Sequence, residues 1–347
     1  MIATMKPRLD NFTVPFEGQA HAATWMCWPL SEREWRSHLN GARTEFAAFV
    51  EAVAEVEQVE LICGTSEAEA DAQRRLSSRT QENVRFHRMN LDDVWFRDNG
   101  PIFVARNTSH GVEVAATVWT FNAWGGKYRF AQDSLASRAV CELIGSRPYE
   151  GPLTLEGGAL EFDGQGTGMT TLPCLLGPTR NPGMSQGAIE EILCDYFGTT
   201  KWIWLDYGLQ GDHTDGHIDT LARFTAPGKA VACSSNSDDS NYHGLRGNKR
   251  ILEEAGVEVL DLPIPVVARY ESGLRLPETY CNYYLANGRV IVPQYGDVND
   301  EPALAILRAA FPDREVIGLS SRSIINGGGS FHCLSQQQPK GTLCGSP

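Results

Sequence analysis

The chemistry this chain can do is concentrated in five residues: Asp98, Glu156, His217, Asp219 and Cys333. Cys333 comes four residues after Gly327-Gly328-Gly329 and directly after His332. A thiol delivered by a glycine-rich turn is placed as a nucleophile, provided a neighbour lowers its pKa. One cysteine and one histidine, Cys333 and His217, make a nucleophile and its acid/base partner. Three carboxylates around them favour a charged histidine, attract a cation and exclude an anionic substrate. A planar guanidinium meets a carboxylate with two parallel hydrogen bonds, so paired Asp and Glu suit a guanidine.

Each residue also has an ordinary structural explanation. Buried, inert cysteines are common. Asp98 after Arg97 fits a local ion pair or a turn, and Glu156 before Gly157-Gly158 fits a solvated strand end. His217 and Asp219, spaced by two, would share one side of a strand, where a structural His–Asp pair is an alternative. Trp95 and Trp124 are core aromatics or pocket walls. His213 and His217 have the spacing of a helical metal pair, but Thr214-Asp215-Gly216 between them is poor helix, so no metal is expected. The case for chemistry rests on all five residues standing beside glycine or turn residues near expected strand ends, where functional groups collect.

The elements that must position them repeat. A buried strand is expected at Ala22–Pro29, a helix from Glu34 to Val56 with Phe46, Phe49, Val50 and Val53 on one face, and strands at Val59–Gly64 and Val84–Met89. Further strands are expected at Ile102–Val104, Val112–Phe121, Leu153–Asp163, Met169–Thr171, Trp202–Leu205, Lys229–Cys233, Val257–Leu260 and Glu315–Leu319. Asn287-Gly288 marks a hairpin. Helices are expected at Glu67–Leu76, Asp133–Ile144, Ser185–Phe197, Tyr242–Ala255 and Glu301–Phe311. The recurring unit is strand, strand, helix, strand, about five times, with no linker between units. That favours one α/β domain over 1–347, with a lead-in at 1–20 and a tail at 340–347.

Bulk properties agree with a soluble globular protein. Of 347 residues, 42% are hydrophobic and 21% charged, which allows a sizeable core. Acidic residues number 43 against 30 basic, and the formal charge of −13 argues against general nucleic-acid binding. Nine scattered cysteines show no zinc-ligand spacing. No export signal and no membrane-length apolar run is visible, so a reducing cytoplasm is expected.

Five motifs carry a resemblance: Trp95-Phe96-Arg97-Asp98-Asn99-Gly100-Pro101, Phe121-Asn122-Ala123-Trp124-Gly125-Gly126-Lys127-Tyr128, Glu156-Gly157-Gly158, Thr214-Asp215-Gly216-His217-Ile218-Asp219 and Gly327-Gly328-Gly329-Ser330-Phe331-His332-Cys333. In this order, from about Trp25 to Pro339, the chain resembles the agmatine deiminases, of the bacterial-type peptidylarginine deiminase family in the guanidine-modifying superfamily. The resemblance implies a five-bladed α/β propeller, the pentein fold, built from pseudo-fivefold ββαβ repeats. It implies Cys333 as nucleophile, His217 as general acid/base, Asp98 and Asp219 as grips on the guanidinium, and Glu156 as the partner of the histidine. Trp95, Trp124, Gly328 and Gly329 would shape the pocket. No metal or other cofactor is implied. The partner would be a small cationic guanidino compound, agmatine first, with arginine or peptidyl arginine as alternatives and a non-catalytic guanidine-binding protein as a third. Neither nucleic acid nor membrane is expected as a partner, and a homodimer is compatible with the sequence. One position departs from the pattern: His213 stands where many of these enzymes carry an acid, leaving Asp212 and Asp215 as its acidic neighbours.

Overall fold

A computed structural model describes residues 5–30, 35–271 and 273–345. Five sheets share one design. In each, a first strand pairs antiparallel with a second, the chain crosses over through a helix, and a third strand pairs parallel with the second. The four sheets contiguous in sequence are Ile102–Thr108, Gly111–Thr120 and Pro148–Thr154; Glu161–Phe162, Thr167–Thr171 and Lys201–Leu205; Ala222–Ala226, Lys229–Ser234 and Glu258–Pro263; and Tyr284–Ala286, Arg289–Gln294 and Glu315–Ser320. The fifth joins the two ends of the chain. Ser335–Pro339 pairs antiparallel with His21–Cys27, placing Gln336 opposite Trp25, and Gln58–Cys63 and then Val84–Arg88 follow in parallel. No sheet closes on itself among the described residues.

The parallel pairings require long connections, and helices supply them. The crossovers are Leu39–Ala54, Ala136–Ile144, Gln186–Phe197, Tyr242–Glu254 and Asp300–Ala310. Their ends follow local chemistry. Ser185 accepts a hydrogen bond from the Ala188 amide to open one helix, and Gly198 closes it at φ 67°. Middle strands such as Arg289–Gln294 are buried along nearly their whole length, hence their continuous apolar runs. Phe46, Phe49, Val50 and Val53 line one face of the first crossover helix and are fully buried, as the periodicity predicts. Each such side chain contributes about 1.5–3 kcal/mol from burial.

Glu34, the expected helix start, lies outside the described residues, as do residues 1–4 of the lead-in and 346–347 of the tail; the α-helix proper opens at Leu39 after a 3₁₀ turn, Arg36–His38. The apparent strand Leu153–Asp163 is interrupted: Gly157–Ala159 forms a 3₁₀ turn, with Glu156 as its N-cap, between Thr154 and Glu161. The tail continues as a strand, Thr342–Leu343, parallel to Gly111–Thr120. No helix among the described residues is long and apolar enough to cross a membrane.

Candidate active site

The five sheets each present the same loop, the one that enters the first strand, and four of the five hold an expected chemical residue. Asp98 lies on the turn Phe96–Asn99, ahead of Ile102–Thr108. Glu156 caps Gly157–Ala159, ahead of Glu161–Phe162. His217 caps Ile218–Thr220, which contains Asp219, ahead of Ala222–Ala226. Cys333 precedes Ser335–Pro339. The remaining loop, Tyr280–Asn282 ahead of Tyr284–Ala286, contributes Asn282. His217 and Asp219 therefore do not share a strand face, as their spacing predicts; they occupy a short turn. Asp212 accepts from the Gly216 and His217 amides, and the Thr220 hydroxyl donates to the His217 carbonyl, so local bonds replace a sheet ladder here.

These loops converge. A Cβ on Gly158 would lie 2.6 Å from His217 Nδ1, 2.7 Å from Asp98 Oδ1 and 3.2 Å from Asp219 Oδ2, so only glycine leaves this space open. Cys333 Sγ is 3.5 Å from Asp219 Oδ2. His217 lies between two carboxylates, with Nδ1 3.7 Å from Asp98 Oδ1 and Nε2 3.8 Å from Glu156 Oε2. Asp98 accepts from the Trp124 indole and the Gly158 amide, both at 2.9 Å. Arg97 turns away from Asp98, towards Glu17 at 3.5 Å, which removes the local-pair explanation.

Four contributors had no role in the sequence reading. Asn282 donates to Cys333 Sγ at 3.1 Å and accepts from the Ser330 and Cys333 amides, fixing the nucleophile loop. His332 bridges Asp219 Oδ2 and Glu17 Oε2, each at 2.7 Å. Glu17, from the lead-in, is held in turn by Arg223 at 2.9 Å. Arg180 grips Glu156 Oε1 at 2.6 Å and Asp215 Oδ2 at 3.0 Å. The place of Asn282 in the repeat was the available signal for it; Glu17 and Arg180 had none.

Outside this centre a cavity of about 460 Å³ opens, lined among others by Trp35, Asp93, Trp95, Trp124, His213 and Gly328. A larger groove of about 870 Å³, along Tyr242–Arg250, holds none of the expected site residues and is set aside. Trp124 takes a left-handed backbone, φ 55°, uncommon for a bulky residue, and that conformation accompanies its bond to Asp98. Gly328, at φ 102°, passes so close to His213 that a Cβ would fall 1.8 Å from Cε1; on Gly329 a Cβ would lie 3.0 Å from Cys333 Sγ. His213 is edge-on to Trp124 and Tyr128. Asp212 spends its oxygens on its own loop, and Asp215 pairs with Lys127 and Arg180. Both thus brace the His217 loop.

The electrostatics are unequal across the centre. Burial pushes Asp98 up to about 6, an effect that the Asp219 and Glu156 charges reinforce and His217 opposes. Burial also acts on Asp219, but His332, His217 and Arg223 overcome it and hold the carboxyl below its ordinary range. Glu156 is likewise lowered, as His217 and Arg180 outweigh burial. Burial disfavours charge on His217, yet Asp98, then Cys174 and Glu156, hold its pKa well above the usual value. Burial, followed by Asp219 and Asp98, drives the Cys333 thiol well above its usual value, and Asn282 opposes them. Among the described residues, four buried atoms here have no hydrogen-bond partner: Glu156 Oε2, Asp219 Oδ1 and both His217 nitrogens. Buried polar atoms are otherwise almost always paired, so the two carboxylate oxygens are positioned for a bound group rich in donors.

The model of the Porphyromonas-type peptidyl-arginine deiminases matches residues 13–339, and the chain belongs to this family. Over 97% of its length the chain is 35% identical to an agmatine deiminase of Pseudomonas aeruginosa, of which 98% is covered. The structure of an Enterococcus faecalis agmatine deiminase superposes with a TM-score of 0.90 at 31% identity, covering 98% of this chain and 99% of that one. A cysteine-to-serine variant of the C. jejuni agmatine deiminase, solved with substrate bound, gives 0.88 at 31% identity, over 95% and 97% of the two chains. The fold is shared more widely: an amidinotransferase of Microseira wollei, at 15% identity, still gives 0.55.

Proposed function

We propose that this chain hydrolyses agmatine to N-carbamoylputrescine and ammonia through a covalent adduct on Cys333. The observation that carries the reading is the set of partnerless acceptors beside the thiol. Asp219 Oδ1 and Glu156 Oε2 await donors, and a guanidinium presents five N–H groups in one plane. Full-length similarity to agmatine deiminases supports the same substrate.

Substrate enters along Trp95 and Trp124 with its guanidinium between Asp98 and Asp219. Its positive charge offsets the burial and the carboxylates that keep Cys333 a thiol, so the thiol gives its proton up to solvent and the thiolate forms when there is something to attack. The sulfur bonds to the guanidinium carbon, and His217 passes a proton to one terminal nitrogen, which leaves as ammonia. An amidino-thioether remains. His217, with Glu156, then takes a proton from water; the oxygen bonds to the same carbon, the C–S bond breaks, and the ureido product departs as Cys333 is regenerated. Holding the reactants in line supplies much of the acceleration. No step calls for a metal or an organic cofactor.

The five sheets are proposed to be five blades about a common axis, with the first-strand loops forming the catalytic end. The enzyme is proposed to act in the cytoplasm as a homodimer, in polyamine metabolism. Ammonia and ureido-product assays on agmatine, arginine and a blocked arginine peptide test the reading. Turnover of agmatine well above the other two is expected; inactivity on all three would overturn it.

A further inference from the structure

Beside His217 the centre holds a cysteine that the reaction does not use. Cys174 is fully buried on the short turn Leu172–Leu175. Thr171 caps that turn, and its hydroxyl also donates to the Gly216 carbonyl at 2.6 Å, so the Cys174 turn is bonded to the His217 loop. One donor atom each from Glu156, Cys174 and His217 lie within 4.8 Å of one another. Three points no more than 4.8 Å apart always enclose a position about 2.8 Å or less from each, 4.8 Å divided by √3. Zinc bonds to nitrogen and carboxylate oxygen at about 2.0–2.2 Å and to sulfur at about 2.3 Å, so a contraction of at most roughly 0.5–0.8 Å closes the set.

The donors can ligate once His217 and Cys174 give up their protons. Glu156 gives Oε1 to Arg180 and leaves Oε2 without a partner, and both His217 nitrogens are unpartnered, all of them buried. Thiol, imidazole and carboxylate together select zinc-type cations over magnesium or calcium. Three protein ligands leave a fourth position for water.

We propose that Glu156, Cys174 and His217 form a reversible, inhibitory site for a thiophilic divalent cation of the zinc type. The cation displaces the proton from the His217 nitrogen needed for proton transfer, and the thiol proton of Cys174 is likewise released as the sulfur–metal bond forms. Its charge also excludes the guanidinium, so metal and substrate compete. Inhibition rests on the deiminase reading above; binding does not.

Cobalt(II) reports the site directly, because a thiolate ligand adds a charge-transfer absorption. Metal-free wild-type protein and Cys333→Ser are each expected to take up one equivalent of cobalt with that absorption, displaced by zinc. Cys174→Ser and Glu156→Gln are expected to bind at least tenfold more weakly; the second variant keeps the test decisive if the first fails to fold. Zinc should raise the apparent KM for agmatine in wild type, and at least tenfold more zinc should be needed in Cys174→Ser, each measured against its own zinc-free rate. No charge-transfer absorption at one equivalent, or an absorption lost in Cys333→Ser and kept in Cys174→Ser, would overturn the site. No ammonia release by metal-free wild type would overturn the deiminase reading and leave the cobalt result to decide the site.

Discussion

Asp98 and Asp219 are the same residue type, both almost completely buried, on equivalent loops of different sheets, yet their surroundings push them in opposite directions. Asp219 is supported from behind by the chain His332–Glu17–Arg223, so its charge is neutralised before any substrate arrives. Among the described residues Asp98 has neutral donors, the Trp124 indole and the Gly158 amide, besides a histidine 3.7 Å away, and two carboxylates oppose its ionisation. One wall is permanently charged; the other becomes fully charged when a cation binds. Equal motifs in a sequence thus do unequal work, decided by residues far away in the chain.

The largest expected effect separates the walls through stability. Asp219→Asn should lower kcat/KM by roughly 10²–10³-fold and also lower Tm by several degrees, because it strands His332 and Glu17; breaking a buried pair costs about 3–5 kcal/mol. Asp98→Asn should lower kcat/KM comparably and Tm by less than half as much. Equal Tm losses, read by calorimetry, would erase the distinction.

Glu17→Gln comes next. It leaves every proposed reacting group in place, yet should lower kcat/KM roughly tenfold to a hundredfold and move the acid limb of the pH–rate profile upward, as Asp219 loses its support. An unchanged profile would remove Glu17 from the account.

The pH response sharpens the contrast. Asp98, raised to about 6, binds a proton more tightly folded than unfolded. Its ionisation therefore costs stability above pH 6, and that cost is relieved as pH falls towards the ordinary carboxylate value. Asp219 is lowered, so its stabilisation is present above the ordinary value and lost as pH falls below it. Agmatine binding to Cys333→Ser at pH 6 should consequently release a proton from Asp98, seen by calorimetry in two buffers of different ionisation heat. At pH 8 that release should vanish; equal release at both would show that Asp98 does not titrate.

How much of this is legible in the sequence follows the same division. The crossover helices and parallel strands were legible because apolar periodicity is local, and the motifs around Asp98, Glu156, His217 and Cys333 because glycine and turn chemistry marks loops. The supports were not legible. Glu17 lies in what reads as an extended lead-in, 315 residues from the His332 it holds, and no local pattern encodes that pairing. The spacing of His217 and Asp219 predicts a shared strand face, but the bonds that curl their loop come from Asp212 and Thr220, side chains that outcompete a ladder. Asn282 carries no charge and stands in no glycine motif; only its equivalence to the other four loops exposes it.

The smallest expected effect tests the Asp98 wall alone. Trp124→Phe removes one hydrogen bond to that carboxylate and should cost about 1 kcal/mol, roughly fivefold in kcat/KM, with little change in Tm. A loss as large as that of Asp98→Asn would mean that the indole does more than hold the carboxylate.

The central claim is that Cys333 forms the bond to the guanidinium carbon within this divided cradle. Acid quenching of the enzyme during agmatine turnover, followed by peptide mass spectrometry, tests it most directly. The account predicts an adduct with the mass of agmatine less ammonia on the peptide containing Cys333, absent in Cys333→Ala, which should also lose turnover. An adduct on another cysteine, or full turnover by Cys333→Ala, would contradict it.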